Sequence, residues 1–475
     1  MPRFSKHFKL GLSQHQLDFV DISNEYDTPV YVDPFAIEIK NDVWSEQASH
    51  QIRIFFLEVL EALRSGDDMR AASLMSNLRE PKETFLGVSS GDPHGRGVGH
   101  GQANKLIKAI KNSRAYSSGL LSDLSEMSLY VEGVDRDKIS DLTTNIIRNL
   151  LVEYTQEQCD VFGIETLNYN GPPHWDATRR NWVSKIVQLP YIDDDPIILV
   201  PKFIVRRRLS LDSQEFYNKQ ITDFLISEEL KANSSLVQTL KSQERVVYKK
   251  DIKKEFPKSK SLIADIVSKH PELLKMLKSV AKNQKSLVSF SEDEESIQSL
   301  CLKLASLLPE IPQGRNTADD YHKFIMGAFT ALFYPDLIAP KKEWEINGGR
   351  KRIDIVYTNS SNSGFFSQRR DDPNVNANLV IVECKNYSTD IVNPELDQLI
   401  GRFNPDRGKL GIVTCRQIDD KKLLLERCKD AVKNRQGYII VLSDYDIIRM
   451  LNLKGHLEEN SIETSLHEKY RDIIS

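Results

Sequence analysis

Four apolar runs in the last third of the chain constrain its fold more tightly than any other feature. They are RIDIVYT (352–358), NLVIVECKNY (378–387), GKLGIVTCR (408–416) and GYIIVLS (437–443), with helix-periodic stretches between the later ones. Short runs of this kind, rich in Val and Ile, bury both faces, and a sheet covered by helices is the arrangement that allows it. KKEWEI (341–346) precedes the first run across NGG, a hairpin turn signal. DDYHKFIMGAFTALF (319–333) reads as an apolar helix. PELDQLIGRF (394–403) starts a helix with proline at its front. The predicted order over 317–475 is helix, three strands, helix, strand, helix, strand, helix. That order defines an α/β domain with a mixed sheet flanked by helices.

The remaining chain follows other rules. At 475 residues it is too long for one core, so more than one domain is expected. Residues 1–215 read as a mainly helical α+β region. QIRIFFLEVLEALRSG (51–66) and ISDLTTNIIRNLLVEYTQEQ (139–158) have helical spacing, the second with Ser140 as its N-cap. TPVYVDPFAIEI (28–39) and DPIILVPKFIV (195–205) look strand-like. Residues 216–316 form a Lys-rich helical middle region or linker that ends in LPEIPQGRN (308–316). Between Lys241 and Phe290 thirteen Lys or Arg stand against five Asp or Glu, followed at once by the acidic SEDEES (291–296). The expected role of this stretch is a solvated helical linker, with phosphate contact as the alternative.

Composition narrows the class. Hydrophobic residues at 40% and charged residues at 28% exclude a disordered chain, and a net charge of −4 excludes a uniformly basic nucleic-acid binder. The amino-terminal residues carry no signal-peptide apolar region, and no run reaches the ~18 apolar residues of a membrane span. The five cysteines have no CxxC spacing and are odd in number, which argues against a disulfide framework. A reduced, cytoplasmic protein without structural zinc or membrane contact is the expectation.

The chemistry is concentrated in two of the apolar runs. Asp354 lies among β-favouring residues, where a lone buried carboxylate is costly unless paired, protonated or bound to metal. Glu383 ends the next strand, and Lys385, two positions on, shares its face. Two hard oxygen ligands with room for water suit Mg²⁺ or Mn²⁺. An adjacent ammonium can orient an attacking water or stabilise phosphate charge. That set of groups fits phosphodiester hydrolysis.

IDIVY followed by VIVECKNY resembles the PD-(D/E)XK nuclease superfamily, whose fold is that of restriction endonucleases. GRKRIDI and VECKNYS…DQLIGRF also resemble nuclease domains of bacterial restriction and phage-defence proteins, including the Mrr-like group. The resemblance covers about 317–450 and implies an α-β-β-β-α-β core. It makes Asp354 and Glu383 metal ligands, the main-chain carbonyl of Cys384 a further ligand and Lys385 the catalytic lysine. Gln398 falls where related nucleases place a glutamine on the helix after E-x-K. Three departures accompany this. Ile353 stands where the superfamily's proline would, and Arg402 stands in place of the tyrosine of a Q-x-x-x-Y motif. The helix 321–333 has no acid, which leaves Asp320, Glu343 or Glu345 as candidates for an additional ligand. EPK (80–82), DIK (251–253) and EIK (38–40) repeat the acid-x-Lys pattern without a paired acid inside a preceding strand.

Arg350, Lys351 and Arg352 at the hairpin turn, and Arg402 after the active-site strand, are the candidate nucleic-acid contacts; Arg407, Lys409 and Arg416 add positive charge. The expectation is a Mg²⁺- or Mn²⁺-dependent endonuclease acting on DNA, in restriction or anti-phage defence, that works as a homodimer or with a partner held by the N-terminal region. The alternatives are a catalytically inactive nucleic-acid-binding or scaffold subunit, and an RNA or tRNA nuclease on the same fold. Other features read as structural. The glycine-dense 87–110, with His94 and His100, reads as a surface loop. Trp175 and Trp182, beside Arg179 and Arg180, read as core or interface residues, with base stacking as the alternative. Cys384 and Cys415 read as buried packing residues.

Overall fold

The computed structural model describes residues 3–87, 100–284, 287, 295–346, 348–387 and 389–475. His94 with most of the glycine-dense loop, and 291–294 of the acidic stretch, lie outside the described residues.

The N-terminal unit is built around helix α1 (Val43–Ser65), whose Ile52, Phe55, Phe56, Val59, Leu60 and Leu63 recur at helical spacing and are buried. Asp42 caps its start by accepting from Ser45 N–H, and Gly66, at φ 79°, supplies the left-handed residue that ends it. The stretch read as one helix over 139–158 is two, α2 (Arg136–Ile146) and α3 (Arg148–Phe162), broken at Ile147. Asp135 caps α2, while the Ser140 hydroxyl is buried and accepts from Val32 N–H at 2.9 Å. TPVYVDPFAIEI holds only a two-residue strand, Tyr31–Val32, before Asp33 caps the helix Pro34–Glu38. In DPIILVPKFIV, residues 197–200 are buried but join no sheet. Backbone partners come from scattered segments instead: Ile198 N–H donates to Glu83, and Val200 C=O accepts from Val20. Apolar content here reports burial, and tertiary contacts replace the ladder.

The Lys-rich middle is not a solvated linker. Its Ile252, Ile263, Val267, Leu273 and Leu277 are buried in the N-terminal core, so the lysines form the outer face of packed helices. The next helix, α4 (Ile297–Leu307), buries Leu300, Cys301 and Leu304 in the C-terminal core instead.

That second core surrounds a five-stranded mixed sheet. Helix α5 (Ala318–Phe333) leads into strands β1 (Leu337–Ile346) and β2 (Lys351–Asn359), followed by α6 (Gly364–Asp371) and β3 (Leu379–Lys385). Then come α7 (Asn393–Ile400), β4 (Leu410–Cys415), α8 (Lys421–Lys433), β5 (Tyr438–Ser443), α9 (Asp444–Gly455) and α10 (Glu459–Ile474). The sheet order is β1-β2-β3-β4-β5. β1–β2 and β2–β3 are antiparallel, whereas β3–β4 and β4–β5 are parallel. The hairpin turn uses Gly348 and Gly349, both at positive φ. α6 and the division of the last helix into α9 and α10 are additions to the expected order. β3 and β4 are buried along nearly their whole length, and each fully buried Val or Ile contributes roughly 1.5–3 kcal/mol.

The two units meet through apolar and polar contacts: Tyr334 and Ile338 are buried in the N-terminal core and Val161 in the C-terminal one. Lys40 donates to Ser360 C=O at 3.3 Å, the Ser360 hydroxyl donates to Asp42 at 2.9 Å, and Lys341 pairs with Glu157. Lys40 of the EIK triplet therefore belongs to this interface. Among the described residues no helix is long and apolar enough to cross a membrane, and all five cysteines are free and buried.

Candidate active site

Strand register assembles the site. Ile355 pairs with Val382 across β2–β3, and this antiparallel register puts Asp354 opposite Glu383. Lys342 and Trp344 pair with Ile355 and Ile353 across β1–β2, which puts Glu343 opposite Asp354. Extended past these pairs, the register lines up three acids in one row across three strands. The row interrupts the ladder: the Asp354 carboxylate accepts from Cys384 N–H at 2.8 Å, and Glu343 has left-handed backbone, φ 52°.

Glu383 is fully buried. Arg402 Nε donates to its Oε1 at 3.3 Å, and Lys385 Nζ donates to its Oε2 at 3.4 Å. Lys385 also donates to Gln398 Oε1 at 3.2 Å. Gln398 lies on α7, and Arg402 follows one turn later, so both reach the face of β3 that carries Glu383 and Lys385. Burial first, then the Asp354 charge, pushes the Glu383 carboxyl up to about 7, against the pull of Lys385 and Arg402. The Cys384 side chain leaves β3 on the other side from Glu383, towards His322 and Asp354, and burial holds its thiol well above the usual range.

The structure thereby brings together Asp354, Glu383, Lys385, Gln398 and the Cys384 main chain. Among the candidate acids, Glu343 alone shares the row. Glu345 is exposed and pairs with Arg352 at 2.9 Å. Asp320 is exposed in the first turn of α5, which starts earlier than the expected 321 and includes it. Arg402 departs from its expected role. Its buried guanidinium compensates Glu383, so it stands inside the site and not on a phosphate-facing surface. Arg416 is likewise buried, paired with Asp444 at 2.8 Å and set over the Tyr321 ring. Arg350, Lys351 and Arg352 are exposed at the hairpin tip, with Lys351 donating to Gly401 C=O at 3.1 Å. Trp175 packs edge-on against Phe55 and Trp182 and is buried, which leaves it no face for a base.

One residue escaped the sequence reading. His322 on α5 lies with Nε2 3.8 Å from Asp354 Oδ2 and Nδ1 3.7 Å from Glu343 Oε1. A His322 ring nitrogen, an Asp354 carboxylate oxygen and the Cys384 Sγ all fall within 4.8 Å of one another. The signal was present in DDYHK: the helix that offered no acid offers an imidazole.

The donors suit a divalent cation. Asp354 and Glu383 offer hard carboxylate oxygens, and the donor atoms grouped within 4.8 Å are a His322 nitrogen, an Asp354 oxygen and the Cys384 sulfur. Burial first, and the Asp354 charge after it, make Glu383 reluctant to ionise, which a cation would relieve.

Residues 9–212 match the family model described as a domain of unknown function, DUF8370. No curated protein and no solved structure matches the chain.

Proposed function

We propose that the C-terminal unit is a restriction-endonuclease-like domain of PD-(D/E)XK type that hydrolyses phosphodiester bonds, with DNA as its substrate. The observation that carries this reading is Asp354 opposite Glu383 with Lys385 on the same face, within hydrogen-bonding distance of Glu383 and Gln398. Asp354, Glu383 and the Cys384 carbonyl would hold Mg²⁺ or Mn²⁺. When bound, the ion supplies Lewis-acid activation of the phosphate and of water. Lys385 places a positive charge beside the reacting phosphate, where it orients the attacking water and stabilises developing charge. Gln398 fixes the ammonium's position, so that little reorganisation is needed. Arg402 opposes, without overcoming, the burial that favours protonated Glu383. Arg350 and Lys351 at the hairpin tip offer backbone contacts to the nucleic acid. Restriction or anti-phage defence, in a reducing cytoplasm, is the setting this reading implies, with the N-terminal unit controlling access or engaging a partner.

A second reading has its own observation: both Glu383 oxygens already accept from cations. A subunit that binds nucleic acid without cutting it would show this pairing too. Purified protein with Mg²⁺ or Mn²⁺ should cleave plasmid DNA, linear DNA or RNA, and Asp354→Ala or Lys385→Ala should lower the rate by at least ~10²-fold. Cleavage unchanged in both variants refutes the site. Binding that persists in EDTA, with no cleavage under either ion, selects the second reading.

A further inference from the structure

His322 lies on the second turn of α5, on the side of the helix that faces the acid row. Its side chain is mostly buried, 12% exposed, and each ring nitrogen faces a different carboxylate. At 3.8 Å from Asp354 and 3.7 Å from Glu343, neither approach is a hydrogen bond. Donors that share one ion each lie ~2–2.2 Å from it, so the 3.8 Å between His322 and Asp354 leaves room for both to hold one ion. The far nitrogen completes a recurrent arrangement. A ligating histidine donates its other ring nitrogen to a carboxylate, which fixes the tautomer and the ring's orientation. Glu343 is the carboxylate on that side, and its 3.7 Å contact must close to a hydrogen bond when the ion is held. Glu343 has left-handed backbone at φ 52°, as Ala339 has in the same strand.

We propose that His322 is a side-chain ligand of the divalent ion at this site, that Glu343 orients it, and that the nitrogen donor tilts the site from Mg²⁺ toward first-row transition ions. The inference rests on the nuclease-type reading of Asp354 and Glu383 and adds metal choice to it. Oxygen-only sites suit Mg²⁺; imidazole is a poor partner for it and a good one for transition ions. His322 thus sets which ion Asp354 holds, and Glu343 acts through His322 as a positioning residue.

Mn²⁺ is the probe, because its binding and its spectrum can be read without any cleavage. Full-length protein stripped with EDTA is titrated with Mn²⁺ and with Mg²⁺ by calorimetry, and the Mn²⁺ complex is examined by pulsed EPR. The wild type should show hyperfine coupling to a directly bound nitrogen. His322→Gln, which keeps the side chain's bulk, should lose that coupling and weaken Mn²⁺ at least ~10-fold while Mg²⁺ changes by less than about threefold. Glu343→Gln should keep the coupling and weaken Mn²⁺ by ~10–100-fold. Absence of nitrogen coupling in the wild type, or an unchanged Mn²⁺/Mg²⁺ ratio in His322→Gln, overturns the proposal. Asp354→Ala separates the two levels. Mn²⁺ binding lost there but retained in His322→Gln leaves the carboxylate site standing and removes only the histidine. Mn²⁺ binding retained in Asp354→Ala places the ion elsewhere and refutes both.

Discussion

Replacing Glu383 with glutamine should make the metal-free protein more stable at pH 8 while destroying its proposed chemistry. The carboxyl is fully buried, and its ordinary value of 4.5 is raised to about 7. At about 1.4 kcal/mol per pH unit, holding the folded protein's anion costs roughly 3 kcal/mol. The sign follows from linkage. A raised carboxyl binds its proton more tightly when folded, so its contribution is full below about pH 4.5 and is lost as pH rises through about 7. Glutamine resembles the protonated form in shape and charge and can still accept from Arg402 or Lys385. The Glu383→Gln variant should therefore match the wild type near pH 4.5 and exceed it by roughly 3 kcal/mol at pH 8. Denaturant unfolding in EDTA at both pH values, followed by a probe of the C-terminal unit, measures the gap. Adding Mg²⁺ at pH 8 should narrow it, because only the wild type retains both carboxylates for the ion. A gap equal at the two pH values, or a variant less stable at pH 8, refutes the claim that desolvation and Asp354 outweigh the two cations around Glu383.

Two further outcomes follow from other parts of the chain. Arg350→Ala with Lys351→Ala should weaken nucleic-acid binding and flatten the plot of log affinity against log salt by ~0.9 for each phosphate no longer neutralised, measured by fluorescence anisotropy across a salt series. Trp175→Ala should lower unfolding stability by ~3–5 kcal/mol through the cavity it leaves beside Phe55 and Trp182, with nucleic-acid affinity unchanged in the same assay.

The site was legible as far as strand chemistry reaches. Asp354 inside an apolar run and Glu383-x-Lys385 at the end of the next are local patterns, and alternation along β3 sets which side chains share a face. Gln398 was found from its spacing within the resemblance, and the hairpin from its NGG turn. The N-terminal reading failed where burial and periodicity separate. Residues 197–200 are apolar because they are enclosed, yet their backbone partners come from distant loops. The Lys-rich helices looked solvated because their charge masks a narrow apolar stripe, and the N-terminal core that covers it is remote in sequence.

By itself the sequence determined the α/β character of the C-terminal unit, the two acids, the lysine and the order of the strands that carry them. These rest on side-chain alternation and turn chemistry, which act over a few residues. Only the tertiary structure decided that Glu343 and not Glu345 joins the acid row, that Arg402 turns inward to Glu383, and that His322 closes the site from α5. Each depends on register or packing between elements tens of residues apart, and one-residue differences in register move a side chain to the other face of a sheet.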